Sequence, residues 1–189
     1  QNTYRINNIK AGTYTVTVTD HRLCQDTLHI SINDGIPLHI NLNTTHLSCY
    51  KANDGSITAE VSGGHPNYTY FWTPAMGNQN TIIKLQNRAY TLKVIDSEYC
   101  EAEATATPQQ PDEVTVTLNH DSRLLCAGTE LNLIAQGSHG NGAPYTYEWN
   151  ISPNKVNQIQ HTFTASQTVQ VKAFDNKNCP SKIKEIQIT

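Results

Sequence analysis

The clearest signal along the chain is alternation with a period of two. Leu38, Ile40 and Leu42 are separated by His39 and Asn41, and Tyr68, Tyr70 and Trp72 share one parity. Tyr90, Leu92 and Val94 form a third such row. Side chains of a strand point alternately to opposite faces, so each row predicts a strand with one buried and one wet face. Turn formers, Asn53-Asp54-Gly55 and Gly63-Gly64, punctuate the rows. The middle of the chain thus predicts strands near 38–42, 56–61, 68–72, 82–85, 90–94 and 101–106, and no segment has helical periodicity. About seven short strands with turns every eight to twelve residues is the pattern of an immunoglobulin-like sandwich. The expected fold class is all-β, with tandem sandwich modules.

The word tandem rests on internal repetition. Tyr14, Val16, Val18, Asp20 and Cys24 recur 76 residues later as Tyr90, Leu92, Val94, Asp96 and Cys100, and again as Val169, Val171, Ala173, Asp175 and Cys179. Cys49 and Trp72 return as Cys126 and Trp149, both displaced by 77. A period of this length suits a small domain rather than a solenoid repeat. The expected division is 1–37, the closing part of an incomplete module, followed by whole modules at 38–113 and 114–189. Proline-bearing joints at 33–37 and 108–112 are short and should limit bending. The half-module lacks the strands that would cover Tyr14, Val16 and Val18. Either more chain upstream supplies them or another chain does, as in strand complementation.

The second repeat also orients the aromatic motif. Pro66-Asn67-Tyr68-Thr69-Tyr70-Phe71-Trp72 reappears as Pro144-Tyr145-Thr146-Tyr147-Glu148-Trp149. Glu148 between Tyr147 and Trp149 marks that parity as wet, which puts the tyrosines and tryptophans in the core. The outward parity then carries Phe71, Ile95 and Phe174, a candidate interaction surface.

Five cysteines without a C-x-x-C pair favour disulfides over a zinc site. Cys49 lies between the first two strands of its module and Cys100 after the fifth, and Cys126 and Cys179 sit equivalently. The expectation is therefore Cys49–Cys100 and Cys126–Cys179, each closing a loop of about fifty residues and contributing roughly 4 kcal/mol. Cys24 is left unpaired in this segment, its expected partner falling upstream.

Composition narrows the rest. Charged residues are 15% of the chain and the net charge is −3, with no basic stripe for nucleic acid and no apolar run long enough to span a membrane. The opening residues have no signal-peptide pattern, which favours a processed chain or a segment of a longer one. Gly137-Ser138-His139-Gly140 holds a serine and a histidine but lacks a strand–Ser–helix elbow, and Cys49 with nearby His46 is better read as a disulfide cysteine than as a nucleophile. No enzyme and no cofactor are expected. Asp20, Asp96 and Asp175 recur before the downstream cysteines as Asx-turn residues. The functional alternative for them is calcium at the joints, with Asp34 or Asp112 as further ligands.

Cys49…Asn53-Asp54-Gly55-Ser56-Ile57…Ser62-Gly63-Gly64-x-Pro66-x-Tyr68-x-Tyr70-x-Trp72…Tyr90-x-Leu92-x-Val94-x-Asp96-x3-Cys100 resembles the SprB-type repeat of large surface adhesins of Bacteroidota. Residues 9–24 resemble the second half of that repeat, while 114–189 is more similar to a divergent Ig-like or PKD-like copy. The resemblance implies an extracellular, cell-surface location and a structural or adhesive segment of a stalk or filament. Its implied partners are neighbouring repeats of the same protein and other copies in a filament. The alternative is a glycan-binding module, with surface glycans as partner, appended to a secreted enzyme. Asp26-Thr27-Leu28 also fits the short O-glycosylation pattern of that group, making Thr27 a candidate site. The sequons at Asn43, Asn67 and Asn150 are read as chance in a bacterial chain.

Overall fold

Fourteen strands and no helix make up residues 5–189, the part of the chain that the structure, a computed structural model, describes. The first four residues of the expected segment 1–37 lie outside that range.

The chain opens with a lone antiparallel hairpin, β1 (Gly12–Thr19) and β2 (Gln25–Ile32). Six strands follow: β3 (His39–Thr45), β4 (Gly55–Ser62), β5 (Thr69–Thr73), β6 (Thr81–Leu85), β7 (Tyr90–Ile95) and β8 (Glu101–Ala106). They form two three-stranded sheets, β3-β4-β6 and β5-β7-β8. The last six, β9 (Thr115–Leu118), β10 (Thr129–Ser138), β11 (Thr146–Trp149), β12 (Gln158–Phe163), β13 (Gln167–Phe174) and β14 (Lys184–Ile188), form the same pair, β9-β10-β12 and β11-β13-β14. Each sandwich has six strands rather than about seven. Residues 74–80 cross from one sheet to the other without a strand of their own, which leaves out the fourth strand of a constant-type immunoglobulin domain.

The rows read from the sequence all face the core, with Trp72, Tyr90, Leu92 and Val94 buried and Leu38, Ile40, Leu42, Tyr68 and Tyr70 half-buried against them. Tyr90, Leu92 and Val94 are buried with Trp72, Ile57, Ile82 and Leu85, and Val169, Val171 and Ala173 are buried with Tyr147, Trp149 and Leu133. Glu148 is exposed. Each tryptophan indole donates to a carbonyl seven residues on, Trp72 to Gln79 at 2.9 Å and Trp149 to Val156 at 3.0 Å. These bonds satisfy the one polar atom that burial of the ring would otherwise strand. Tyr90 stands at the start of β7 with its hydroxyl accepting from the Gln86 amide at 3.1 Å, a corner of the kind seen in immunoglobulin domains.

The hairpin is the exception. It has the same period, and Tyr14, Val16 and Val18 face the same way as Leu28 and Ile30 across the ladder. Yet Val18 is 64% exposed where its counterpart Val94 is fully buried. Among the described residues no second sheet covers this face.

Each sandwich has a leading end, where the chain comes in, and a trailing end, where it leaves. In the middle sandwich Gly64, two residues past β4, donates its amide to the Ile36 carbonyl (2.9 Å) at the leading end. Neighbouring Gly63 has φ +75°, and a Cβ there would collide with the Pro37 carbonyl. At the trailing end Gly55 packs on Leu47, Pro108 and the Leu85 carbonyl. The eight residues of β4 connect the two ends.

Candidate functional site

The site built most carefully in this molecule is the joint between the two sandwiches. The loop after β3, residues 46–54, caps the trailing end of the middle sandwich. It is tied to the outgoing chain by the Leu47 amide on the Gln109 carbonyl (2.9 Å), the Gln109 amide on His46 Nδ1 (3.0 Å) and the Lys51 amide on Gln110 Oε1 (3.0 Å). Asn87 holds the buried Pro108 from the other side, donating Nδ2 to its carbonyl at 2.8 Å. Hydrogen bonds from Ser48 hold the Asp54 carboxyl below its ordinary pKa and close the loop on itself.

The leading end of the next sandwich meets this cap. Asn141 Nδ2 donates to the Ser48 carbonyl at 2.9 Å and to Asp175 Oδ2 at 2.9 Å, so one amide grips both sandwiches. Lys182 reaches Glu113 at 3.1 Å, an exposed ion pair that adds little. The covalent bond lies beside Asn141. Cys49 is disulfide-bonded to Cys179, 130 residues along the chain, with 5.5 Å between the Cα atoms.

This corrects the expected pairing. Neither Cys49–Cys100 nor Cys126–Cys179 forms; Cys100 and Cys126 are exposed free thiols, as is Cys24. The reason is where the loops lie. Cys49 follows β3 at the trailing end of its sandwich, and Cys100 follows β7 at the leading end. The length of β4 separates those ends, roughly 25 Å at the rise per residue of a strand. A disulfide needs Cα atoms within about 7 Å. Cys126 and Cys179 are separated in the same way by β10. The staple runs across the joint.

The turn that presents the downstream cysteine is built by the recurring aspartate. Asp175 Oδ1 accepts the amides of Lys177 and Cys179, each at 2.9 Å, and Oδ2 accepts the Asn141 amide at 2.7 Å. Burial pushes this carboxyl up, but the Asn141 and Cys179 bonds outweigh it and leave it below its ordinary value. Asp96 does the same with Glu98, Cys100 and His65, the His65 amide being the main cause of its lowered pKa. Asp20 bonds the amides of Arg22 and Cys24. The Asx-turn expectation therefore describes all three. No group of three or more His, Cys, Asp or Glu able to hold a metal occurs among the described residues.

The expected interaction surface is not one surface. Phe71, 50% exposed, and Ile95 share the outer face of β5-β7-β8, flanking Lys93, which pairs with Glu101 at 2.7 Å. Phe174 is on the other sandwich, where its backbone pairs with Pro180 beside the staple. Thr27 is exposed on β2, on the polar face of the hairpin, opposite Thr17. Ser138 and His139 do not pair as catalytic partners; both bond Thr115 Oγ1, at 2.7 and 3.2 Å. Sequence reasoning missed Ser48 and Asn141, whose role is visible only once two sandwiches are placed together.

The class defined here is an all-β chain of immunoglobulin-like sandwiches linked across their joint by a disulfide. Comparison adds a likeness for part of it: the SprB repeat model matches residues 41–77. That span runs from inside β3 past Trp72 to Gly77, and includes neither 85–100 nor 9–24, which the resemblance also covers. The chain is similar in structure to the fibronectin(III)-like modules of Clostridium thermocellum CbhA, at 15% identity over 79% of this chain and 93% of theirs, TM-score 0.37. It is also similar to the N-terminal eight Ig domains of Down Syndrome Cell Adhesion Molecule, at 12% identity over 95% of this chain and 26% of that one, TM-score 0.46. Domains 4 and 5 of the S-layer protein SbsC show 11% identity over 82% and 98% of the two chains, TM-score 0.39. No curated protein matches the sequence.

Proposed function

We propose that this chain is a structural and adhesive segment of a large bacterial cell-surface protein, in which modules at 38–113 and 114–189 follow one another in a stalk or filament. The observation that carries the reading is the Cys49–Cys179 staple together with Asn141 on the Ser48 carbonyl. A disulfide fixed between sandwiches sets their relative orientation, which is of use to an extended rod and of none to independent beads. It also needs an oxidising compartment, in line with an extracellular location. The SprB repeat match at 41–77 supports the same reading.

On this reading residues 1–37 hold the closing part of a preceding module. Its missing strands would lie on Tyr14, Val16, Val18, Leu28 and Ile30. Partners are neighbouring repeats of the same protein.

The test has two parts. Antibody against residues 38–189 should label intact, unpermeabilised cells of the source organism, and small-angle scattering of the oxidised chain should give one rod-like distance distribution that broadens on reduction. Labelling only after permeabilisation would refute the surface location. A broad distribution in the oxidised chain would refute the rod. Binding to a polysaccharide array that disappears in Phe71→Ala would favour the glycan-binding alternative.

A further inference from the structure

Three free cysteines remain, and each sits in a loop whose twin is bonded. Cys49 and Cys126 occupy the same turn. Each carbonyl accepts the amide three residues on, Ala52 and Thr129, both at 3.1 Å. The residue two places on is left-handed in both, Lys51 at φ 57° and Gly128 at φ 90°. Both loops are tied to the chain leaving their sandwich, Leu47 to the Gln109 carbonyl and Leu125 to the Thr189 carbonyl, each at 2.9 Å.

Cys24, Cys100 and Cys179 likewise share one turn. The aspartate four residues before donates its amide to each cysteine carbonyl, at 2.9, 3.0 and 3.1 Å, and accepts each cysteine amide on Oδ1. The residue before each is left-handed: Leu23, Tyr99 and Asn178 at φ 69°, 64° and 65°.

We infer that disulfides in this protein form only between neighbouring sandwiches, trailing-end cysteine to the leading-end cysteine of the next, and that Cys126 and Cys100 are the halves of two further staples. Cys126 takes a cysteine about 130 residues further on, the separation of Cys49 and Cys179. Cys100 takes the trailing-end cysteine of the module to which β1 and β2 belong, and Cys24 that of the module before it. This rests on the tandem-array reading of the preceding section. In each staple two S–H bonds break and one S–S bond forms. Two protons and two electrons pass to a disulfide-bearing oxidant, which leaves as a dithiol.

Thr107 and Thr189 each follow the last strand of a sandwich, so appending a second copy of residues 108–189 after Thr189 places a further sandwich at the spacing of the existing joint. The second copy carries Lys182→Arg as a mass tag on its Cys179 peptide and Cys126→Ser, so that the Cys126 under test is the only one in the extended chain. The extended chain is oxidised, alkylated and mapped by non-reducing mass spectrometry on its monomer fraction. The expected result is Cys126 linked to the tagged peptide, Cys49 linked to the untagged one, and loss of alkylated Cys126. Alkylated Cys126 beside an intact Cys49–Cys179 bond would overturn the inference and leave the array reading standing, as would Cys126 bonded to Cys100 or to the untagged Cys179. The same map on the full-length exported protein gives a second answer should the extended chain not fold. A Cys126 peptide there that is free, although further modules follow, again overturns the pairing. Absence of any further module would sink the array reading itself.

Discussion

Replacing Cys49 with alanine removes one bond but should weaken two sandwiches. Consider the middle sandwich unfolding while its neighbour stays folded. Val114 and Cys179 both lie at the leading end of the folded neighbour, so the ring closed by the staple contains about 65 residues of free chain, and on the chain-entropy model closing it is worth about 4 kcal/mol. If the second sandwich unfolds first, the free chain runs from the anchored Pro108 to Cys179, again about 70 residues and about 4 kcal/mol. Cys49→Ala should thus lower both calorimetric transitions, each by roughly 15 °C or more for domains of this size. Cys179→Ala and the double variant should behave alike, since either single change already opens the bond, and reductant should bring the native chain to the same place. A staple within each sandwich makes a different forecast, in which Cys49→Ala moves only the first transition. That outcome, or a shift of both below about 1 kcal/mol, where strain offsets the entropy, would refute the reasoning.

Pulled from its two ends, the oxidised chain should release less length than the reduced one. The 130 residues between the sulfurs are shielded, roughly 450 Å at the reach of an extended chain, and optical-trap contour lengths would read the difference. Asp96 and Asp175 have folded pKa values below that of an unfolded aspartate, about 4, so their contribution is fully present above pH 4 and is lost as pH falls through the folded values. Denaturant midpoints should therefore be insensitive to these groups from pH 5 to 7 and fall below pH 4, with a shallower fall in Asp96→Asn. Val94→Thr, which buries an unpaired hydroxyl, should cost about 1–3 kcal/mol, whereas Val18→Thr at the matching exposed position should stay within about 0.5 kcal/mol while reducing binding of a hydrophobic dye.

Strand faces were legible because period two is a local property. The parity of Tyr147, Glu148 and Trp149 gave the inside and outside of β11 before any neighbour was known, and the row Tyr90, Leu92, Val94 did so for β7. Cysteine pairing is not local. The repeated spacing of Cys49, Cys100, Cys126 and Cys179 is the same whether bonds close within modules or between them, so periodicity could not choose. Topology could have. In an immunoglobulin-like sandwich the loop after the first strand and the loop of the last hairpin lie at opposite ends. Once 38–113 is assigned to that fold, Cys49 and Cys100 are out of reach of each other. The grip of Asn141 on the Ser48 carbonyl had no sequence signal, because it depends on where one sandwich lands on another.

The staple spans a different stretch of chain from either sandwich, and this bears on damage. A protease that cuts any exposed loop between Cys49 and Cys179, such as the Gly77 turn or residues 120–124, leaves two pieces that still share a covalent bond. If Cys126 begins the next ring before Cys179 closes this one, successive rings overlap like roof tiles. No single nick anywhere along such a fibre would then shed what lies beyond it.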